Sequence, residues 1–336
     1  MTKKRILTGI TTTGTPHLGN YVGAIRPAIE STQTRGDESF FFLADYHGII
    51  KCHEPARIQQ ATLEIAATWL ACGLDPAKSN FYRQSDVPET MELTWVLNCV
   101  ANKGLMNRAH AYKAAVDENK AKGQQELDHG VTMGLFGYPI LMSADILIFK
   151  STHVPVGKDQ IQHIEMTRDI AQKFNHTFGE VFPLPKAVVN ESTQLLEGLD
   201  GRKMSKSYDN TIPLFVPEKQ LRQLIMKIQT NSQAPGEPKD PDTSTLFHLY
   251  QAFADAAAVA DLRLRYAEGI SWGDMKQLLF ETINHEIAPM REKYDALMQR
   301  PEYIEAVLKA GADRVRPMSR MLLQEVRQAI GIRRLF

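Results

Sequence analysis

The sequence predicts an α/β fold in which a parallel-sheet domain is followed by an all-helical C-terminal domain. Three observations carry this. Short apolar runs alternate with helical stretches through the first 84 residues, a glycine turn follows the first run, and from Glu218 onward the pattern is helical. That spacing of strand, helix and strand is the mark of a parallel sheet. The only break in the helical part is the Pro/Gly/Asp-rich stretch from Asn231 to Thr243, and the boundary is placed at Pro217, giving segments 1–216 and 217–336. A chain of 336 residues is too long for one small core.

Ile6 to Ile10 reads as a buried strand, with Thr11, Thr12, Thr13 and Gly14 as its turn. Leu18, Tyr21, Val22, Ile25 and Ile29 keep helical spacing, and Pro27 is expected to bend that helix. Phe40 to Ala44 forms a continuous apolar strand ending at Asp45. Pro55 to Cys72 forms an amphipathic helix stopped by Gly73, and Asn80 to Gln84 forms the next strand. Val116 to His129 is strongly polar, an exposed insertion or a frayed helix end. Pro139 suits a first helical position, which puts Tyr138, Met142 and Asp145 on one face of the helix it opens.

Composition narrows the function classes. Hydrophobic content of 43% and charged content of 23% describe an ordinary globular protein. The 39 basic and 39 acidic residues cancel, so any nucleic acid must meet a local patch. No apolar run approaches a membrane span, and the basic N-terminus lacks the apolar core of a signal peptide. Cys52, Cys72 and Cys99 fit neither a disulfide framework nor a metal knuckle. The expectations are a cytoplasmic protein, no membrane and no metal site of its own.

Two segments carry the chemistry. Gly14-Thr-Pro-His17-Leu18-Gly19-Asn20 has the form of a turn opening a helix, where free N–H groups attract phosphate. Gly19 admits a close backbone approach, while His17 and Asn20 can donate to phosphate oxygens. A plain capped helix start is the competing reading. Lys203-Met204-Ser205-Lys206-Ser207 sets two lysines and two hydroxyls on a loop expected to be mobile, a cationic clamp for pyrophosphate. Its competing reading is a solvated basic loop.

Together the two segments resemble the signatures of class I aminoacyl-tRNA synthetases. His17-Leu18-Gly19-Asn20 stands in the place of the HIGH motif, and Lys203–Ser207 matches KMSKS letter for letter. Gly134-Leu-Phe-Gly-Tyr138-Pro-Ile-Leu-Met142-Ser-Ala-Asp145 resembles the amino-acid pocket helix of the tryptophanyl members. So does Val154-Pro-Val-Gly157-Lys158-Asp159-Gln160, followed by His163 and Arg168-Asp169-Ile170-Ala171.

The resemblance implies a Rossmann-like catalytic domain, a helical anticodon-binding domain and a homodimer with one tRNA reaching across two subunits. It implies tryptophan activation with ATP and Mg²⁺, then transfer to tRNA(Trp). His17, Asn20, Lys203, Lys206 and Lys113 would be the catalytic group, although a plain surface lysine describes Lys113 nearly as well. Leu7, His47, Tyr138, Met142, Asp145 and Gln160 would meet tryptophan. Thr11, Thr12, Thr13, Gly19, Asn20, Gly157, Lys158, Asp159 and the loop residues Lys203, Met204, Ser205, Lys206 and Ser207 would meet ATP. Three positions depart from the family pattern: Thr11-Thr12 replace a Gln-Pro pair, Lys158 replaces an acidic residue, and Leu7 replaces an aromatic one.

Asp145 among Ile140, Leu141, Ile146 and Leu147 is expected to be an unpaired buried carboxylate awaiting the indole N–H; the alternative is an internal Arg or Lys. Met142 would pack on the ring. Arg314, Arg316, Arg320, Arg327, Arg333 and Arg334 form either a phosphate-binding group or an arginine-laced solvated helix. Rival readings are a tyrosyl-tRNA synthetase, a related nucleotidyltransferase acting on a small metabolite, and a catalytically silent tRNA-binding paralogue.

Overall fold

The structure, a computed structural model, describes residues 4–12, 14–32, 37–189 and 196–332. Thr13, Arg333 and Arg334 therefore lie outside the described residues. Five strands form one parallel sheet: β1 (Arg5–Thr11), β2 (Glu38–Ala44), β3 (Asn80–Arg83), β4 (His153–Pro155) and β5 (Lys186–Val188). Their order is β3-β2-β1-β4-β5, so the winding reverses between β1 and β4. A crevice opens at the carboxyl ends of the strands at such a point, and ligands settle there. The signature turn leaves β1 at this crevice, and Gly157 follows β4 into it.

Side chains alternate along β2 with period two. Phe41 and Leu43 face a core with the helix Pro55–Ala71 and the C-terminal residues Phe247, Ile283 and Leu308. Phe40 and Phe42 face a second core with Ala144, Ile164, Phe174, Val315 and Leu322. The C-terminal helices thus contribute to both cores. The last helix, Pro301–Ala329, lies directly on the sheet: a Cβ added at Gly311 would fall 1.7 Å from the Phe81 carbonyl oxygen. Among the described residues, no helix is long and apolar enough to cross a membrane.

One local expectation, at Pro139, changes, and two others take definite form. Pro27 lies in a helical run that continues without a break over residues 18–31. It sits in the first turn of Arg26–Ser31, after a π-helical turn at Tyr21–Ile25 whose wide bond runs from the Arg26 N–H to the Tyr21 carbonyl. Such a turn gives the proline ring room that a regular helix denies it. Pro139 is interior to the helix Met133–Leu147, because Thr132 supplies the cap by accepting from the Leu135 N–H at 3.1 Å. The polar stretch after Val116 continues the helix His110–Ala121 and is then pinned, with Asn119 donating to the Leu127 and His129 carbonyls. From Glu218 the described chain is helical except for residues 227–244, a break that holds one 3₁₀ turn at Pro241–Thr243.

Candidate active site

The first signature is a capping box. The Asn20 N–H donates to His17 Nδ1 at 3.3 Å, and the His17 N–H donates to Asn20 Oδ1 at 3.1 Å. Since Nδ1 accepts, the proton of the neutral ring sits on Nε2, which is left as a donor. Burial, followed by the neighbouring Lys206, pushes His17 down to about 4. Gly14 turns the chain with φ 70°, and Gly19 lies against the His17 ring, where a Cβ would fall 3.1 Å from it.

The second signature docks on the first. Met204 Sδ accepts from the Gly19 N–H at 3.4 Å, and the Lys206 side chain crosses Gly14 so closely that a Cβ there would fall 2.5 Å from Nζ. The backbone seals the contact: the Leu18 N–H donates to Ile212 O at 2.9 Å, and the Leu214 N–H to Pro16 O at 3.0 Å. Partial burial and then Arg57 lower the Lys206 ammonium from its ordinary value. Ser205 Oγ accepts from the Ser207 N–H and lies 2.8 Å from Ser207 Oγ, which shapes a single 3₁₀ turn at Lys206–Tyr208. Lys203 is exposed.

Around these motifs the other nucleotide candidates differ in placement. Thr11 ends β1 and is exposed, whereas Thr12 is buried and donates its hydroxyl to Ala44 O at 3.4 Å. Gly157, Lys158 and Asp159 are exposed where β4 leads into the next helix, and the Asp159 carboxylate covers Gly157 and accepts from Gln160 Nε2 at 2.9 Å. Lys113 is exposed on the first turn of the helix His110–Ala121, outside the contacts that join the two signatures.

Asp145 is 3% exposed, but it is not unpaired, and its partner is neither an Arg nor a Lys. Gln84 Nε2 donates to Oδ1 at 2.7 Å, and His47 Nε2 lies 2.9 Å from Oδ2. Burial raises Asp145 above the usual carboxylate range, opposed by His47 and Gln84. Gln84 is itself oriented, its Oε1 accepting from the Tyr46 N–H at 3.2 Å. Tyr138 Oη lies 2.6 Å from His163 Nε2, and the His47 ring meets the Tyr138 ring edge-on at 6.3 Å. Met142 is half-buried beside this group, and Leu7, 1% exposed, belongs to the core beneath it. A carboxylate offers about four lone-pair directions, so two donors leave room for a third.

Among the described residues, Arg314, Arg316, Arg320 and Arg327 do not form a free basic patch. Arg316 and Arg320 both bind Glu89, Arg327 binds Glu92, and Arg314 donates to the Pro76 and Ser79 carbonyls. These contacts clamp the last helix to Glu89–Val100 and to the loop before β3. Gln84, Tyr46 and Asn210 are neighbours of the candidate site that the sequence reading did not single out, whereas His163 belongs to the resemblance already described. Each of the first three was visible only as a polar residue next to a recognised segment.

The family model for class I tRNA synthetases (W and Y) matches residues 2–287. The chain belongs to that family. It is 59% identical to the tryptophan–tRNA ligase of Neisseria meningitidis over 99% of both chains. It is 62% identical to that of Xanthomonas axonopodis, covering 98% of this chain and 76% of the relative. The crystal structure of Campylobacter jejuni tryptophanyl-tRNA synthetase complexed with ADP and tryptophan superposes with a TM-score of 0.89 at 41% identity, covering 97% of this chain and 99% of that one. Within the family, the chain is one of the tryptophanyl-tRNA synthetases.

Proposed function

We propose that this protein activates L-tryptophan with ATP, releasing pyrophosphate, and transfers the tryptophanyl group to tRNA(Trp). The observation that carries the reading is the docking of Met204 and Lys206 on Gly19 and Gly14, which unites two phosphate-binding signatures from distant parts of the chain. The tryptophan carboxylate is ionised at neutral pH and needs no base. It attacks the α-phosphorus in line, the bond to the bridging oxygen breaks, and pyrophosphate leaves.

Catalysis is then alignment and charge stabilisation. His17 Nε2–H and the Asn20 amide act from the helix side. Lys206 and Lys203 act from the loop side, and Lys113 and the Mg²⁺ carried by ATP belong to the same proposal. Thr11, Gly157, Lys158 and Asp159 form the nucleotide's rim, and an ATP contact by Thr13 rests on the family resemblance alone. Thr12, by its buried hydroxyl, holds the strand beneath it. In the pocket, Asp145 accepts the indole N–H on a remaining lone pair, with Met142 and Tyr138 beside the ring, Gln160 at the amino-acid head group and Leu7 supporting the floor.

A division at Pro217, a homodimer and a cytoplasmic location complete the proposal, supported by the family resemblance. Tryptophan-dependent ATP–pyrophosphate exchange tests it. Exchange at least about 100-fold faster with tryptophan than with tyrosine is expected, given the cost of an unmatched buried polar group. Faster exchange with tyrosine would reverse the substrate, and adenylate formation without tRNA charging would favour the nucleotidyltransferase reading.

A further inference from the structure

Besides its backbone contacts and the Ser205–Ser207 turn, the lysine loop is held by one side chain outside the signature. Asn210 is 2% exposed, and its amide makes contacts in four directions. Its Oδ1 accepts from the Ser205 N–H at 2.8 Å. Its Nδ2 donates to Asp200 Oδ1 at 2.6 Å, to Lys203 O at 3.1 Å and, more weakly, to Arg202 O at 3.4 Å. The backbone on both sides of Met204 is therefore hung from one planar group. Asp200 receives this amide and the Arg202 side chain, which together hold its carboxyl down to about 2. Gly198 packs against the amide from the other side: a Cβ there would fall 2.4 Å from Asn210 Cγ.

We infer that Asn210 is a positioning residue for adenylate formation, setting the backbone from which Lys203 and Lys206 reach the phosphates. The inference rests on the proposed ATP chemistry of this site. Asn210 touches no reacting atom in this account; it acts through the Lys203 carbonyl and the Ser205 N–H. An amide suits the place because it both donates and accepts. A carboxylate would face Asp200 and two carbonyl oxygens with no proton to give.

The test uses the full-length protein with Asn210→Ala and, independently, Gly198→Ala, whose added Cβ must displace the same amide. Each should lower kcat for tryptophan-dependent exchange by about 10- to 100-fold, the usual consequence of a misplaced catalytic group, and raise KM for ATP. Tryptophan Kd should stay within about twofold. In a Lys203→Ala/Lys206→Ala background, Asn210→Ala should cost less than about threefold, since both changes remove the same contribution. A readout that needs no turnover is tryptic cutting at Arg202, Lys203 and Lys206, which should quicken in both variants at a temperature far below Tm. Equal loss of tryptophan affinity, the same fold-loss with and without the two lysines, or unchanged loop cutting would each overturn the assignment. A parent protein inactive with tryptophan would refute the chemistry instead, and the cutting experiment would still decide whether Asn210 holds the loop.

Discussion

His17 Nδ1 caps the helix, and Nε2–H is the donor proposed for a phosphate oxygen. His17→Asn keeps a good cap but moves the donor, so stability should change by about 1 kcal/mol or less while the exchange rate falls about 10²- to 10³-fold. The ring's depressed pKa has a consequence for stability. Unfolded, the ring takes a proton below about pH 6.5, whereas folded it resists protonation until about pH 4. The unfolded state therefore binds more protons in that window, and stability contributed at this site declines as pH falls from 6.5 towards 4. Chemical denaturation of wild type and His17→Asn across that range should show the wild type losing more. Parallel curves would contradict the assignment. The residue scale is also where pattern reading found least. Asp145 was recognisable as a carboxylate in an apolar helix, but its donors Gln84 and His47 lie 61 and 98 positions away, and only the fold brings them to it.

Elements were legible wherever the signal was local. β1, β2 and the helix from Pro55 follow from apolar runs, spacing and a terminal glycine, and they form where those signals stand. The pocket helix was misjudged at its start because Pro139 resembles an N1 residue, whereas Thr132, seven positions earlier, holds the cap. The arginines of the last helix looked solvated or phosphate-binding because Glu89 and Glu92, which hold three of them, are more than 220 residues away in sequence. How tightly that helix is seated can be measured. Gly311→Ala forces the helix off the Phe81 carbonyl, an overpacking that costs about 3 kcal/mol or more and should lower Tm by about 5 °C or more. A Tm within a degree of wild type would mean the helix does not lie on the sheet as described.

At the scale of the whole molecule, neutral net charge and an internally paired C-terminal helix make electrostatic capture of tRNA a local matter. Arg320→Ala and Arg327→Ala should leave the slope of log KM for tRNA against log salt unchanged within about 0.5, whereas loss of a phosphate contact would reduce it by about 1. The two cores that join the sheet to the C-terminal helices also tie the signature region to those helices. Tyr21, next to Asn20, donates to Glu286 at 2.6 Å, and Arg26 pairs with the same carboxylate. Central to the proposed function is the pocket at the sheet's switch point, where Asp145 is proposed to accept a hydrogen bond from the substrate's indole N–H. Its most direct measurement is kcat/KM in pyrophosphate exchange for tryptophan against the sulfur isostere, in which the indole N–H is replaced by S. A preference for tryptophan of about 100-fold or more is predicted, the scale set by leaving a buried acceptor unmatched. Ratios within about threefold would show that this carboxylate does not read the ring.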